Sequence, residues 1–270
     1  MTSRNEEQPS PRRQFLRSSG LVIAAGGAGY LASARGSVVQ PESEVATLSG
    51  NEFFKSKFKE GADEIYRRHF SQTKAQAVAL KAKYQNPVFG EMDVIDAFEK
   101  LVLCVDPTDT TLIHTNQLIH TLQVLEGMEQ DGIVDPDMLF AAAVHDLGKL
   151  LLLTDEQPEN IVCGNRPIGS YRDKVGLDNV VFQWNHDEFI YDRLKEYVPD
   201  HVAWLIRYHS IDFPVCEHLM NEYDRALYAS HLQTFRKYDQ HTKSTTHLPQ
   251  TKIQDYGDLL KKYLPGKIVI

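Results

Sequence analysis

Apolar residues recur at three- and four-residue spacing through most of the chain, the period of amphipathic helices, and no segment alternates convincingly as a strand would. Helical patterning begins near Phe53 and is clearest over residues 64 to 85, a stretch rich in strong helix formers. A further helix is predicted over 92 to 105 and stops at Asp106-Pro107, because proline disfavours helical geometry in the residue before it. The spacing predicts another helix over 111 to 129, which would contain His114. Asp135-Pro136 opens the next, with Asp135 placed to cap it and Pro136 in its first turn. Residues 154 to 176 hold two prolines and three glycines and read as a loop, long enough to suggest a functional element. Helices resume over 178 to 196, 199 to 210, 220 to 240 and 253 to 264, the last ended by Pro265-Gly266. The fold expected is all-α, one domain over residues 51–270, with no internal repeat.

The first 35 residues form a separate object. Arg12-Arg13 with Phe15 and Leu16 precede a short apolar run interrupted by Gly26, Gly27 and Gly29, followed by the small-residue exit Ala32-Ser33-Ala34. Those are the three parts of an export signal, and the paired arginines resemble a twin-arginine signal. The run is short for a membrane span, so cleavage near Ala34 is expected in preference to a retained anchor. Residues 36–50 read as a linker. This reading implies the twin-arginine (Tat) export machinery as a partner, a periplasmic or otherwise extracytoplasmic location, and no stable span in the mature form. Without the signal, the location would be cytoplasmic.

The net charge of −8 argues against nucleic acid, whose phosphates need clustered Lys and Arg. Residues 1 to 40 carry five basic and two acidic side chains, so their loss would leave about −11. The three cysteines, Cys104, Cys163 and Cys216, are too few and scattered for a disulfide framework or a thiolate zinc site.

The stretch AAAVHDLGKLLLL, residues 141 to 153, sets His145 and Asp146 in an apolar run, where a carboxylate is costly unless paired or bound to metal. Further imidazoles and carboxylates sit in similar settings: His114 in TLIHTNQ, His186 in QWNHDEF, His209 in IRYHS and Asp239 in RKYDQHTK. Any one alone reads as an ordinary core or surface residue. Together they offer a nitrogen and oxygen donor set suited to iron, manganese or zinc, with one aspartate able to bridge two ions. Lys149 and Lys243 each lie four residues beyond a potential ligand, His145 and Asp239, and so face roughly the same way.

The order of these residues resembles the HD-domain superfamily and, more closely, the myo-inositol oxygenase family. The resemblance spans roughly residues 53 to 268 and rests on VHDLGK (144–149), GLDNVVFQWNHDE (176–188), RYHS (207–210), RKYDQHTK (236–243) and KKYLPG (261–266). It implies an HD-domain helical bundle. His114, His145, Asp146 and Asp239 would hold one iron, while His186, His209 and the bridging Asp146 would hold the other. The irons would be a mixed-valent Fe2+/Fe3+ pair, with O2 as co-substrate. Lys149 and Asp146 would be catalytic, and Lys149, Ser210, Lys243, Asp106 and Arg166 would contact substrate, with Asp109 an alternative to Asp106. Arg166 belongs to a segment, Gly164 to Pro167, similar to part of the family's lid. The activity implied is O2-dependent, four-electron carbon–carbon cleavage of a cyclohexane polyol, giving D-glucuronate from myo-inositol.

The lid is shortened here: only residues 150 to 175 join the HDLGK and GLD segments. A more open pocket or a different substrate, such as an amino alcohol or a phosphonate, is therefore an alternative. A metal-dependent phosphohydrolase is the runner-up, since that is the commoner activity of the superfamily, although few basic side chains are available to it. A non-catalytic binding protein that retains the metal site is a third class.

Overall fold

The computed structural model describes residues 61–109 and 115–270; the expected signal segment (1–35), the linker (36–50) and His114 lie outside them. Helices dominate. The patterned stretch 64 to 85 is two helices, α1 (Ala62–Phe70) and α2 (Lys74–Lys83). They divide at Thr73, whose hydroxyl accepts from the Gln76 amide while the Gln76 side chain accepts from the Thr73 amide, a reciprocal cap at the start of α2.

A two-residue strand β1 (Glu91–Met92) precedes α3 (Val94–Leu101). It pairs antiparallel with β2 (Ile268–Val269), so the chain's last residues close back on the start of the bundle. This ribbon is too short to show alternation, and the expectation of an all-α class stands.

Next come α4 (Gln117–Gln130) and α5 (Pro136–Val144), packed against each other. Asp135 caps α5 as expected, accepting from the Asp137 amide. The α4 boundary differs from the sequence expectation. Asn116 is its cap, accepting from the Ile119 amide, so the helix starts at Gln117. After α5 the chain tightens into a 3-10 helix over Leu147–Leu153, whose leucines 147 and 150 to 152 are fully buried.

The loop that follows is irregular apart from a 3-10 turn at Pro158–Asn160, but it is fastened along its length. Ile168 N donates to Val181 O and Gln183 N to Arg166 O, laying the loop antiparallel on an extended segment, 180 to 185. That segment replaces the first part of the helix expected from 178, and α6 (His186–Leu194) starts only at His186. Then follow α7 (Asp200–Tyr208), a four-residue turn α8 (Phe213–Cys216) and α9 (Glu222–Leu227). A π-helical turn, Tyr228–Leu232, joins α9 to α10 (Gln233–His241), and α11 (Gly257–Tyr263) is the last helix. Such π-turns reset the phase of a helix and often occur near functional sites. This one lies just ahead of the helix that carries Asp239.

The core is continuous through the bundle. Phe98 and Leu101 of α3, Leu125 and Met128 of α4, Phe140 of α5, Phe189 of α6 and Tyr208 of α7 are all but fully buried. Helices α4, α5, α6, α7 and α10 surround His145 and Asp146, which therefore lie at the centre of the packing. No helix of the described residues is long and apolar enough to cross a membrane.

Candidate metal centre

His145 closes α5 as its C-terminal cap residue, and Asp146 follows in a non-helical conformation before the 3-10 turn begins. That break aims successive side chains into one interior space. Gly148 allows the opposite wall to approach: a Cβ there would come 2.3 Å from the backbone oxygen of His186. His186 and His209 enter from α6 and from the end of α7, and Asp239 from the last turn of α10.

The polar atoms converge in two groups that share one carboxylate. In the first, Asp146 Oδ2 lies 3.3 Å from His145 Nε2 and 3.6 Å from His120 Nε2. Asp239 Oδ1 lies 3.0 Å from His120 Nε2 and 3.6 Å from His145 Nε2. In the second, Asp146 Oδ1 lies 3.2 Å from His186 Nε2 and 3.9 Å from His209 Nε2. His120, His145 and Asp146 form one buried triad able to hold a metal ion, and Asp146, His186 and His209 form the other. Donors bonded at about 2.1 Å to one ion and set near right angles stand about 3 Å apart, so the spacings fit coordination.

Proton placement supports the same conclusion. Nδ1 of His145, His186 and His209 lies 2.8, 2.5 and 2.9 Å from the backbone oxygens of Ala142, Ile161 and Ile206. Each Nδ1 thus carries the N–H that donates outward, and each Nε2 turns its lone pair inward. That is how ligating histidines are oriented in metal sites. His145 Nε2 has no hydrogen-bond partner although buried. A cation resolves the facing lone pairs, and the two groups form a diiron-type site.

In the metal-free protein, protons take part of that role. Burial opposes charging His145, but Asp146 and then Asp239 outweigh it and lift its pKa to about 10. Burial likewise opposes charging His186, where Asp187 and then Asp146 raise it to about 9. For His209 burial prevails and the pKa falls to about 4. Asp146 is held well below the usual carboxylate range: burial works against this, and Lys149 and His145 overcome it.

Lys149 is buried, its Nζ 3.0 Å from Asp146 Oδ2 and 2.9 Å from Asp106 Oδ2. Burial disfavours its charge, but Asp146 and Asp106 hold its pKa well above the ordinary lysine value. Lys243 Nζ lies 2.7 Å from Asp109 Oδ2, so the two aspartates weighed for one position each meet a different lysine. Ser210 donates its hydroxyl to Asp187 Oδ2. Arg166, by contrast, is engaged by Asp212, at 2.6 Å, and stacks over the Phe70 ring.

The sequence-predicted residues His145, Asp146, His186, His209, Asp239, Lys149 and Asp106 are therefore brought together. His114 lies outside the described residues; among the described histidines, His120 stands nearest to Asp239, at 3.0 Å. Its signal was available: His120 shares the buried face of α4 with Val124 and Met128, at four-residue spacing, once Asn116 is taken as the cap. Asp187, fully buried next to His186, sets Oδ1 2.8 Å from His186 Nε2.

The sequence model of the family described as myo-inositol oxygenase matches residues 59–170 and 163–270. The chain is 30% identical to the probable inositol oxygenase of Oryza sativa subsp. japonica over 296 positions, which cover 91% of this chain and 94% of that protein. It is 29% identical to inositol oxygenase 1 of Arabidopsis thaliana, covering 79% of this chain and 81% of that one. It is also 29% identical to the inositol oxygenase of Bos taurus, covering 66% of this chain and 75% of that one.

Proposed function

Since this chain belongs to the myo-inositol oxygenase family, we propose that it catalyses the O2-dependent cleavage of a ring carbon–carbon bond in myo-inositol or a closely related polyol. The observation that carries the reading is the division of Asp146, one oxygen in each of two His-containing groups. The ligands we assign are His120, His145, Asp146 and Asp239 at one metal, and Asp146, His186 and His209 at the other. His120 takes the role that the sequence alone suggested for His114. The overall balance closes with no outside reductant: inositol gives up four electrons, O2 accepts them, one oxygen atom enters the aldehyde-acid and the other leaves as water.

When bound, a mixed-valent iron pair would supply the Lewis acidity and the redox capacity for this cleavage. The chain supplies position and charge. Lys149, clamped between Asp146 and Asp106, keeps a fixed positive charge in a water-poor site and stabilises negative charge developing on a substrate oxygen. Lys243, steadied by Asp109, sets a second cation close enough to Lys149 for their charges to repel. Between them a polyol meets two ammonium donors. Both lysines are already compensated by carboxylates, which weakens the phosphohydrolase reading, since phosphate needs uncompensated positive charge.

Arg166 serves to fasten the short lid in this reading, and direct contact with substrate falls to the lysines. The fold belongs with the HD-domain bundles. The first 35 residues act as a twin-arginine-type export signal, a route that suits a protein whose metals are inserted during folding in the cytoplasm.

The test is iron content together with electron paramagnetic resonance of the partially reduced full chain, with and without myo-inositol, beside O2 consumption. Two irons per chain with a coupled mixed-valent signal that changes on adding inositol, and inositol-dependent O2 uptake, are expected. A mixed-valent signal blind to inositol would keep the oxygenase and reject inositol as substrate. Zinc or manganese with no such signal would overturn the oxygenase.

A further inference from the structure

Gln117 opens α4, directly after the cap Asn116, and is completely buried. Its backbone N–H donates to Cys104 O, at 2.9 Å, which fixes this end of the helix against the segment that follows α3. It lies one turn before His120, on the same side of the helix. Its side-chain oxygen Oε1 accepts from Lys149 Nζ, at 3.3 Å. That contact settles which end of the amide is which, since the opposite orientation would set N–H against an ammonium. Nε2 is then left buried, with two N–H donors and no acceptor. Amide geometry keeps it no more than about 5.6 Å from the Lys149 ammonium.

Lys149 itself has no N–H to spare. Its three donors meet Asp106 Oδ2, at 2.9 Å, Asp146 Oδ2, at 3.0 Å, and Gln117 Oε1. A substrate oxygen that takes a hydrogen bond from Lys149 must displace one of these acceptors. The contact with Gln117 is the longest of the three and the one made to a neutral group, so it yields first. The oxygen then stands where Gln117 Oε1 stood, within reach of the amide that made way for it.

We propose that Gln117 is a substrate-binding residue whose Nε2 donates to a hydroxyl oxygen of the bound polyol, next to the oxygen held by Lys149. The inference rests on the reading that the chain acts on a polyol. Before substrate arrives, Oε1 keeps the Lys149 ammonium directed into the site. When the polyol displaces it, the amide rotates aside and its N–H pair gains the acceptor that the protein does not provide. A vicinal diol suits the two donors, because neighbouring ring hydroxyls present two oxygens side by side. A ring lacking the hydroxyl at that place leaves Nε2 buried and unpaired, so Gln117 helps set which polyols bind.

The test is binding and structure in the full chain, iron-loaded and anaerobic so that no turnover occurs. Calorimetric titrations of myo-inositol and its monodeoxy analogues compare wild type with Gln117→Met and Gln117→Glu. The Glu variant keeps an oxygen for Lys149 and lacks the N–H donor, whereas the Met variant lacks both. Both should bind myo-inositol about 3–10-fold more weakly than wild type, and the preference of wild type for myo-inositol over one deoxy analogue should vanish in both. A Glu variant that binds myo-inositol as wild type does would overturn the proposal and leave Gln117 as a support for Lys149 only. A crystal structure of the wild type with myo-inositol makes the test independent of either variant's folding. Nε2 within about 3.2 Å of a polyol oxygen is expected. A water held by Nε2, His120 Nδ1 and Thr121 Oγ1, three buried atoms without partners, with every polyol oxygen more than about 4 Å from Nε2, would overturn it. A wild type that does not bind myo-inositol would overturn the polyol reading itself, and this proposal with it.

Discussion

Gly148 and His186 meet so closely that the backbone oxygen of His186 occupies the space a side chain at 148 would need. The contact joins the 3-10 turn behind Asp146 to the first residue of α6, and so fixes how far His186 stands from the bridging carboxylate. Gly148→Ala must push these walls apart by displacing backbone, which cannot yield as a flexible side-chain tip can. Overpacking of this kind costs about 1–3 kcal/mol, and each kcal/mol lowers the melting temperature of a domain this size by roughly 2–4 °C. Thermal unfolding should show that drop, and iron analysis should show the second metal lost before the first.

His120 and His114 separate cleanly by substitution. His120→Ala removes an imidazole 3.0 Å from Asp239 Oδ1 and should weaken the first metal by at least about tenfold, leaving a protein with close to one iron per chain. His114→Ala should leave iron content unchanged. Elemental analysis of both variants after identical loading decides the matter, and the reverse pattern would return the first-metal role to His114.

This pair also marks how far the chain could be read before its structure. The residues that the structure brings together mostly lie beside a strong local signal: His145-Asp146 inside an apolar run, His186 after an aromatic, His209 at the end of an amphipathic helix, Asp239 four residues before a lysine. His120 has no such neighbour: a 3.6-residue period does not mark its own first residue, whereas the cap does, and Asn116 sets the start of the helix at Gln117, not at the expected 111. The extended segment before His186 was missed for a related reason. It is buried by the loop that pairs with it, so it lacks the alternation of a half-exposed strand. The shortened lid suggested an open pocket, whereas hydrogen bonds to partners distant in sequence fasten the loop at Asn165, Arg166 and Ile168, and local patterning does not record such partners.

Lys149→Met keeps the bulk of the side chain and removes the charge. Turnover should fall by about 10²–10³, the usual effect of losing one preorganised electrostatic contact, while two irons remain bound. The metal-free variant should also unfold more easily, by about 3–5 kcal/mol, because Asp146 and Asp106 lose the cation that both contact. Steady-state kinetics beside iron analysis separates the effects. Unchanged kinetics would make Lys149 a structural residue only.

The pH dependence of the metal-free protein follows in part from the four imidazoles of the centre. His145 and His186 have folded pKa values of about 10 and about 9, raised above the ordinary value of 6.5. Their contribution to stability is fully present below pH 6.5 and drains away as pH rises through those values, because the folded state binds the protons that the unfolded state has released. His209, lowered to about 4 by burial, and His120, which burial also lowers, act in the opposite sense: their contribution is intact above 6.5 and is lost as pH falls. Stability of the chelator-treated protein should therefore peak near pH 6.5 and fall on both sides, on the alkaline side as His145 and His186 lose their protons. Iron loading puts metal where the two protons stood and should flatten the alkaline limb. Melting temperatures from pH 5 to 10, with and without metal, test this directly, and parallel alkaline limbs would mean that the metals bind elsewhere.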